Sequence, residues 1–573
     1  MMKINIRSLL SLAVLVIFLI TMVPIEGSAK KDKRNEGEEI INLALGKNYQ
    51  VNTLYPQDEY YTKVHEVNYP DNGNKLTDGQ YGSLSFTDKA YVGYLFQGFR
   101  DITIDLEAPA TVEEIALSVL QDVPVGIYFP QEVEFYLSMD GQKWEFLGVA
   151  YSKVPTSEKG PIKQKISKMD INKIARYVKI IVPAEGWLFV DEVEIWGTNS
   201  LSGNKLKANI KEILPFSDKK LKGYPKPKDV GGIENEVLIY TGDWEYDKPG
   251  ENWISFTKEE FKPYIAYLDK DLKPKDIMFD TFLFVPYSKL PDGATFNPTG
   301  GKPTNKTHFE YFLNRLFRAD YELGALNQAV KEFKKELNSP KYKKYRAKVV
   351  ITIPFPRTDQ SDFGDIDGSG ISLNLNVSEV GEEQALINRE KVVKWFIDEV
   401  YKRWETAGYD ELELAGFYWD VEYVPYHLSS LEGKLIKSTA EYIHSKGGTF
   451  QWIPYYFARG WYKWNQLGFD GALMQPNYMW VETGKDRLDT ILKATYDYGL
   501  GIEMEMSDAV LTDSKMREKY YTYIDKAFEY KYAGKAYTAF YQQVKTLLKA
   551  AKSSDPSARE VYDRTYNFLK GRQ

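Results

Sequence analysis

Leu414-Ala415-Gly416-Phe417-Tyr418-Trp419-Asp420-Val421-Glu422-Tyr423 is a run of strand length that turns acidic where it ends. Successive side chains of an extended chain point to opposite faces, so Asp420 and Glu422 share a side with Gly416 and Tyr418. Gly501-Ile502-Glu503-Met504-Glu505-Met506 repeats the device, with Glu503 and Glu505 on one face and Ile502, Met504 and Met506 on the other. Working outward, runs of strand length fall at 237–241, 277–284, 348–354, 414–419, 450–455, 471–475, 501–506 and 536–541. Amphipathic runs of helix length separate most of them. Eight β–α repeats in a few hundred residues predict a (β/α)8 TIM barrel over 236–573, with the working face at the C-terminal strand ends. An open doubly wound sheet fits less well. Its glycine-rich phosphate turn is replaced after the first strand by Thr241-Gly242-Asp243-Trp244.

Composition narrows the chemistry. The chain has 573 residues, 74 Lys+Arg, 81 Asp+Glu, four His and no Cys, for a net charge of −7. Without cysteine there is no disulfide framework, thiolate metal site or thiol nucleophile. His65, His308, His427 and His444 lack metal-ligand spacing. The acidic balance excludes a nucleic-acid partner. Aromatic content is high at 15%, with 43 Tyr and 12 Trp. Residues 1–29 read as an export signal: Lys3 and Arg7, an apolar run from Leu9 to Val23, then Gly27-Ser28-Ala29. The expectation is a bacterial protein that is secreted or cell-surface-associated, without stable membrane insertion after cleavage. Residues 199–235, rich in Lys and Pro, read as an exposed, semi-extended and mobile linker.

Between them, 40–198 shows period-two alternation, as in Ile102-Thr103-Ile104-Asp105-Leu106 and Glu132-Val133-Glu134-Phe135-Tyr136-Leu137, with turn residues between runs. This predicts an antiparallel β-sandwich. The ordered series Asn42-Leu43-Ala44, Leu76-Thr77-Asp78-Gly79, Ser138-Met139-Asp140-Gly141-Gln142-Lys143-Trp144, Ala175-Arg176-Tyr177-Val178-Lys179 and Val193-Glu194-Ile195-Trp196-Gly197 resembles the discoidin-like (coagulation factor type C) jelly roll. Bacteria use that family as carbohydrate-binding modules. The resemblance implies a structural calcium near Asp78, with Glu192 as a second ligand, and glycan contact through loop aromatics such as Tyr128 or Trp187.

Two acidic strand ends in one barrel point to glycoside hydrolysis, in which one carboxyl protonates the leaving oxygen and a second attacks or activates water. By analogy with retaining enzymes of this fold, Glu422 is the expected acid/base and Glu505 the nucleophile. Asp420 is expected to orient the substrate and to raise the pKa of Glu422. Candidate substrate contacts are Trp244, Asp280, Arg357, Trp419, Gln451, Trp452, Tyr455, Gln475, Asn477, Tyr478, Trp480 and Glu503. No cofactor is expected for catalysis, and the expected partner is a polysaccharide, with association to a cell wall or extracellular matrix.

Two alternatives stand. Asp420-Val421-Glu422 resembles the D-x-E ending of chitinase-type barrels, which implies substrate-assisted cleavage of N-acetylhexosamines. A non-catalytic cell-surface carbohydrate-binding protein would use the same cleft without turnover. Gly416-Phe417-Tyr418-Trp419-Asp420-Val421-Glu422, Trp452-Ile453-Pro454-Tyr455-Tyr456 and Met474-Gln475-Pro476-Asn477-Tyr478 resemble the bacterial domain of unknown function 4855 family. That resemblance implies a glycosidase-like barrel and assigns neither substrate nor catalytic residues.

Overall fold

The computed structural model describes residues 39–56, 59–96, 98–155, 158–217, 221–242, 254–287, 290, 292–424, 430–482 and 484–573. The expected export segment and Trp244 lie outside these residues.

Nine antiparallel strands form the N-terminal sandwich: β1 (Ile41–Asn42), β2 (Tyr49–Leu54), β3 (Val92–Leu95), β4 (Phe99–Gln121), β5 (Glu132–Ser138), β6 (Glu145–Tyr151), β7 (Ile162–Lys168), β8 (Lys173–Pro183) and β9 (Trp187–Thr198). The long β4 is its organiser, pairing with β2, β7, β8 and β9. Alternation makes the core, with Ile102, Ile104, Val133, Phe135, Leu137, Val178 and Ile180 packed inward. A short helix, α1 (Glu59–Asn68), inserts after β2.

Eight parallel strands then close into a barrel: β10 (Asn235–Thr241), β11 (Thr281–Pro286), β12 (Ala347–Ile353), β13 (Leu412–Trp419), β14 (Thr449–Trp452), β15 (Gly471–Met474), β16 (Gly501–Glu505) and β17 (Thr538–Tyr541), the last pairing with the first. The eight strand runs expected from sequence are all present. Helices surround them, among them α2 (Lys258–Ile265), α3 (Lys306–Leu316), α4 (Glu322–Leu337), α5 (Val377–Ala407), α6 (Leu431–Ser445), α7 (Asp486–Tyr498) and α8 (Ser514–Glu529). Parity sorts the strand residues as expected. Leu283, Val350, Tyr418, Leu473, Tyr537 and Ala539 fill the barrel interior. Phe282, Ile351, Phe417, Trp419, Ile502 and Met504 face the helices.

Gly416, which shares the inward face of Asp420 and Glu422 and so suits a barrel interior with room for a ligand, serves another purpose. A β-bulge shifts register between Val349 and Val350, and a Cβ on Gly416 would lie 2.2 Å from the Thr449 carbonyl oxygen. The glycine therefore admits the neighbouring strand, not a ligand.

Among the described residues of 199–235 exposure is mixed, with Lys205, Lys207 and Lys211 exposed. Phe216, Val230 and Ile233 are buried, and Tyr498 donates through its hydroxyl to the Pro215 carbonyl at 2.7 Å. The segment is apolar at the points where it touches the sandwich and barrel, so burial outweighs the solubility of its lysines. An aromatic cluster continues this contact. Phe99 lies 5.1 Å from Tyr462 and 5.4 Å from Phe216, and Tyr55 meets Tyr498 edge-on at 5.8 Å. Lys463 pairs with Glu132 at 3.1 Å, and the Arg459 guanidinium stacks 3.8 Å above Tyr128. Sandwich and barrel thus share one packed interface. Tyr128, an expected glycan contact, is covered by that arginine.

Candidate active site

At the C-terminal end of the barrel opens a cavity of about 580 Å³. Its wall contains all four acidic residues from the two strand ends: Asp420, Glu422, Glu503 and Glu505. No Lys, Arg or His side chain lines it among the described residues. Aromatic groups supply much of the remainder, including Tyr240, Phe296, Tyr423, Tyr455, Trp480 and Tyr541.

The four carboxyl groups differ in their surroundings. Glu505 ends β16 and is buried. Tyr523 on α8 donates its hydroxyl to Glu505 Oε2. Burial pushes the Glu505 carboxyl up to about 7, while hydrogen bonds from Tyr523, the Trp480 side chain and the Tyr478 backbone hold it down. Glu422 lies just past β13 and is open to the cavity, where Gln475 Nε2 donates to its Oε1 at 2.8 Å. A group at the floor of a cleft is reached by water yet surrounded by protein. That surrounding mass raises the pKa of Glu422, against the Gln475 contact. Asp420 is raised to about 8, first by burial and then by the charge of Glu422. Burial and the neighbouring Glu422 raise the Asp420 carboxyl itself, while the rise of Glu422 comes from its own burial. Glu503 is raised well above the ordinary carboxyl range by burial and by Glu505, Glu422 and Glu236. Its Oε1 is buried without a hydrogen-bond partner.

The expected substrate contacts divide by position. Tyr455, Gln475, Trp480 and Glu503 line the cavity. Tyr478 stands behind it, edge-on to Tyr523 at 5.7 Å. Trp419 and Trp452 are corrections. Each is one residue out of phase with an inward position, so both are buried in the helix layer, and the Trp452 indole donates to the Val421 carbonyl at 2.7 Å. Gln451 points inward but too low. It donates to Glu236 at 2.6 Å and accepts from Tyr537 at 2.6 Å beneath the cavity.

Asp280 is at the wrong end of its strand. β11 begins at Thr281, so Asp280 caps the N-terminal rim and accepts from the Asn235 amide at 2.7 Å. Arg357 is committed to loop structure, paired with Asp359 and donating to the Gly300 carbonyl. Asn477 adopts φ 53° and accepts from Arg487 through its carbonyl at 3.2 Å, away from the cavity wall. Sequence reasoning missed Tyr240, Asn297 and Tyr523, and put Tyr418 on the inward face without naming it a contact. Inward parity at 240 could have found one of them. Tyr523 comes from a helix whose packing no local pattern reveals.

In the sandwich, Asp78 and Glu192 come together. Glu192 accepts from the Gly79 amide at 3.2 Å and is raised to about 8 by burial, then by Asp78, Glu194 and Asp191. Two mutually repelling carboxyl groups offer hard oxygen donors suited to calcium. No group of three or more His, Cys, Asp or Glu able to hold a metal occurs among the described residues, so backbone or water oxygens would have to complete such a site.

An eight-stranded parallel barrel with an acidic cavity at its C-terminal mouth, joined to a type C sandwich, defines the class. Residues 235–567 match the domain of unknown function (DUF4855) and residues 60–193 the F5/8 type C domain. The first match covers more than half the chain, which belongs to the DUF4855 family. No curated protein matches it. Solved structures similar to part of it include CpGH89CBM32-6 produced by Clostridium perfringens, at 16% identity over 27% of this chain and 99% of that one, TM-score 0.18. Chitosan-binding module 1 derived from chitosanase/glucanase from Paenibacillus sp. IK-5 matches at 16% identity over 27% and 99%, TM-score 0.19. The lectin domain of lectinolysin complexed with Lewis B antigen matches at 16% over 28% and 97%, TM-score 0.20.

Proposed function

We propose that this protein is a secreted glycoside hydrolase acting on a polysaccharide by a retaining mechanism. The observation that carries the reading is the unequal setting of two carboxyl groups in one cavity. Glu505 is met by three hydrogen-bond donors, all favouring its ionised form, whereas Glu422 has a single amide and opens to the substrate space. Environments that separate two carboxyl groups in this way separate their roles. Glu422 gives its proton to the glycosidic oxygen as Glu505 attacks the anomeric carbon, breaking the carbon–oxygen bond and forming a glycosyl ester. Glu422, now ionised, removes a proton from water, which attacks the same carbon and releases Glu505. Asp420 holds a proton beside Glu422 and orients the sugar.

Two lines support hydrolysis over binding alone: no described cation blocks the carboxyl groups, and the cavity is large enough for a sugar unit. Asp420 beside Glu422 also suits the substrate-assisted reading, in which an N-acetyl group replaces Glu505 as nucleophile. The sandwich would hold the enzyme on its polymer, raising its local concentration. Calcium bound at Asp78 and Glu192 would brace the loop that carries Gly79.

The test is replacement of each carboxylate. Glu422→Gln and Glu505→Gln should each cut turnover by ~10³-fold or more while leaving the thermal melt unchanged. Proton NMR of the first product should show retained anomeric configuration. An Glu505→Gln protein with near-normal turnover would remove the nucleophile and favour substrate assistance.

A further inference from the structure

The cavity wall carries four carboxyl groups and, among the described residues, no cationic side chain. The hydrolytic roles account for Glu422, Glu505 and Asp420 and leave Glu503 unassigned. Glu503 is on the inward face of β16, with 2% of its surface exposed, and its Oε1 has no hydrogen-bond partner. An unpaired buried carboxyl oxygen is costly, so its position is explained best by a group that arrives with the ligand. The aromatic wall narrows what that group is. Tyr541 stands 5.9 Å from Trp480 and 6.3 Å from Tyr240, both edge-on. Ring faces of this kind attract cations as well as the apolar faces of sugars.

We propose that the cavity takes a hexosamine unit bearing a free amine, with its ammonium group paired to Glu503. This deepens the hydrolase reading and rests on it for the sugar character of the ligand. A uronic-acid or sulfated polymer would bring anions against four carboxyl groups with no counter-charge. An N-acetylated sugar would offer Glu503 one neutral amide donor and could not form the ion pair. A protonated amine supplies a full charge and several donors, which makes the strongest hydrogen bonds to a carboxyl group. It also excludes the substrate-assisted mechanism, since a free amine has no acyl oxygen to attack the anomeric carbon.

The experiment uses the full chain and five probes of equal length: de-N-acetylated glucosamine and galactosamine hexamers, the N-acetylglucosamine hexamer, a neutral glucose hexamer and a uronic-acid hexamer. Affinity is measured by calorimetry with Glu422→Gln protein, and cleavage with the wild type. A free-amine hexamer should bind ~10- to 100-fold more tightly than its N-acetylated or neutral counterparts, weakening with added salt. Glu503→Gln should remove that preference while neutral-sugar binding persists; the comparison of cleavage among the probes uses the wild type and needs no variant to fold. Equal or better binding of N-acetylated or neutral probes overturns the proposal, as does failure of both amine hexamers to bind. Amine-selective binding without cleavage would sustain the proposal and end the hydrolase reading. Cleavage of a neutral probe with no amine preference would do the reverse.

Discussion

The sandwich and the barrel mouth surround most of their carboxyl groups differently. In the sandwich, Asp191 pairs with Lys163, Asp101 with Lys179, Glu194 with Lys165, and Asp105 with Arg176. Burial pushes Glu194 upward, but Lys165, Tyr81 and Trp196 more than offset it and leave the group low. At the barrel mouth, Asp420, Glu422, Glu503 and Glu505 have no cation among the described residues, and all four are raised. Buried charge is tolerated when paired and is otherwise kept only where a ligand or a reaction uses it. Glu134 and Glu192 of the sandwich, buried and raised to about 7 and about 8, show that a raised carboxyl alone does not mark function; the gathering of four around one cavity does.

Introducing a cation where none stands should erase the contrast. Gln475→Lys would set an ammonium beside Glu422 and hold that carboxyl ionised. Turnover should fall by ~10²–10⁴-fold with little change in the thermal melt, and steady-state rates beside the melting curve read both. Activity that survived would remove Glu422 as the acid.

The converse change is Lys163→Met, which strands Asp191 inside the sandwich. Stability should drop by ~3–5 kcal/mol in denaturant titration. Lys163→Met combined with Asp191→Asn should recover much of it, and no recovery would mean that the lysine acts by packing alone.

Glu236 is an intermediate case, buried under the cavity, raised to about 8 by burial and then Asp280, and paired only with Gln451. A carboxyl raised in the folded state supports stability fully below its unfolded value, near ~4.3. That support is lost as pH rises through about 8. Glu236→Gln should flatten the decline of stability between those limits by ~1.4 kcal/mol per pH unit. Parallel curves for the two proteins would show that Glu236 does not titrate there.

The smallest effect concerns the seam between the two regions. Arg459 stacks on Tyr128, donates to the Glu185 carbonyl at 2.7 Å, and accepts through its own carbonyl from Val424, two residues beyond Glu422. Arg459→Ala should cost ~0.5–2 kcal/mol of stability and raise KM more than it lowers kcat. A pure loss of kcat would contradict a positioning role.

Much of this was legible along the chain. The barrel's eight strands and their two-faced parity follow from where apolar residues fall. The four carboxyl groups could be named as a set because both strands share that parity near their ends. Errors arose where one residue or a strand boundary decides the outcome. Trp419 and Trp452 fell one position out of phase, and Asp280 moved to the opposite rim because β11 starts at Thr281 instead of four residues earlier. The connector at 199–235 looked exposed because its composition is basic, while its few apolar side chains are the ones that pack.

By itself the sequence determined the alternation of strands and helices, the type C sandwich, and an acidic chemistry forced by the absence of Cys and scarcity of His. Those are properties of residue type and local spacing. Only the tertiary structure decided that Tyr523 on α8 meets Glu505, that Gln475 meets Glu422, that Gln451 is spent on Glu236, and that no described cation reaches the cavity. Each depends on which strand stands beside which and how far a side chain projects from it, and period-two alternation specifies a face without specifying a depth.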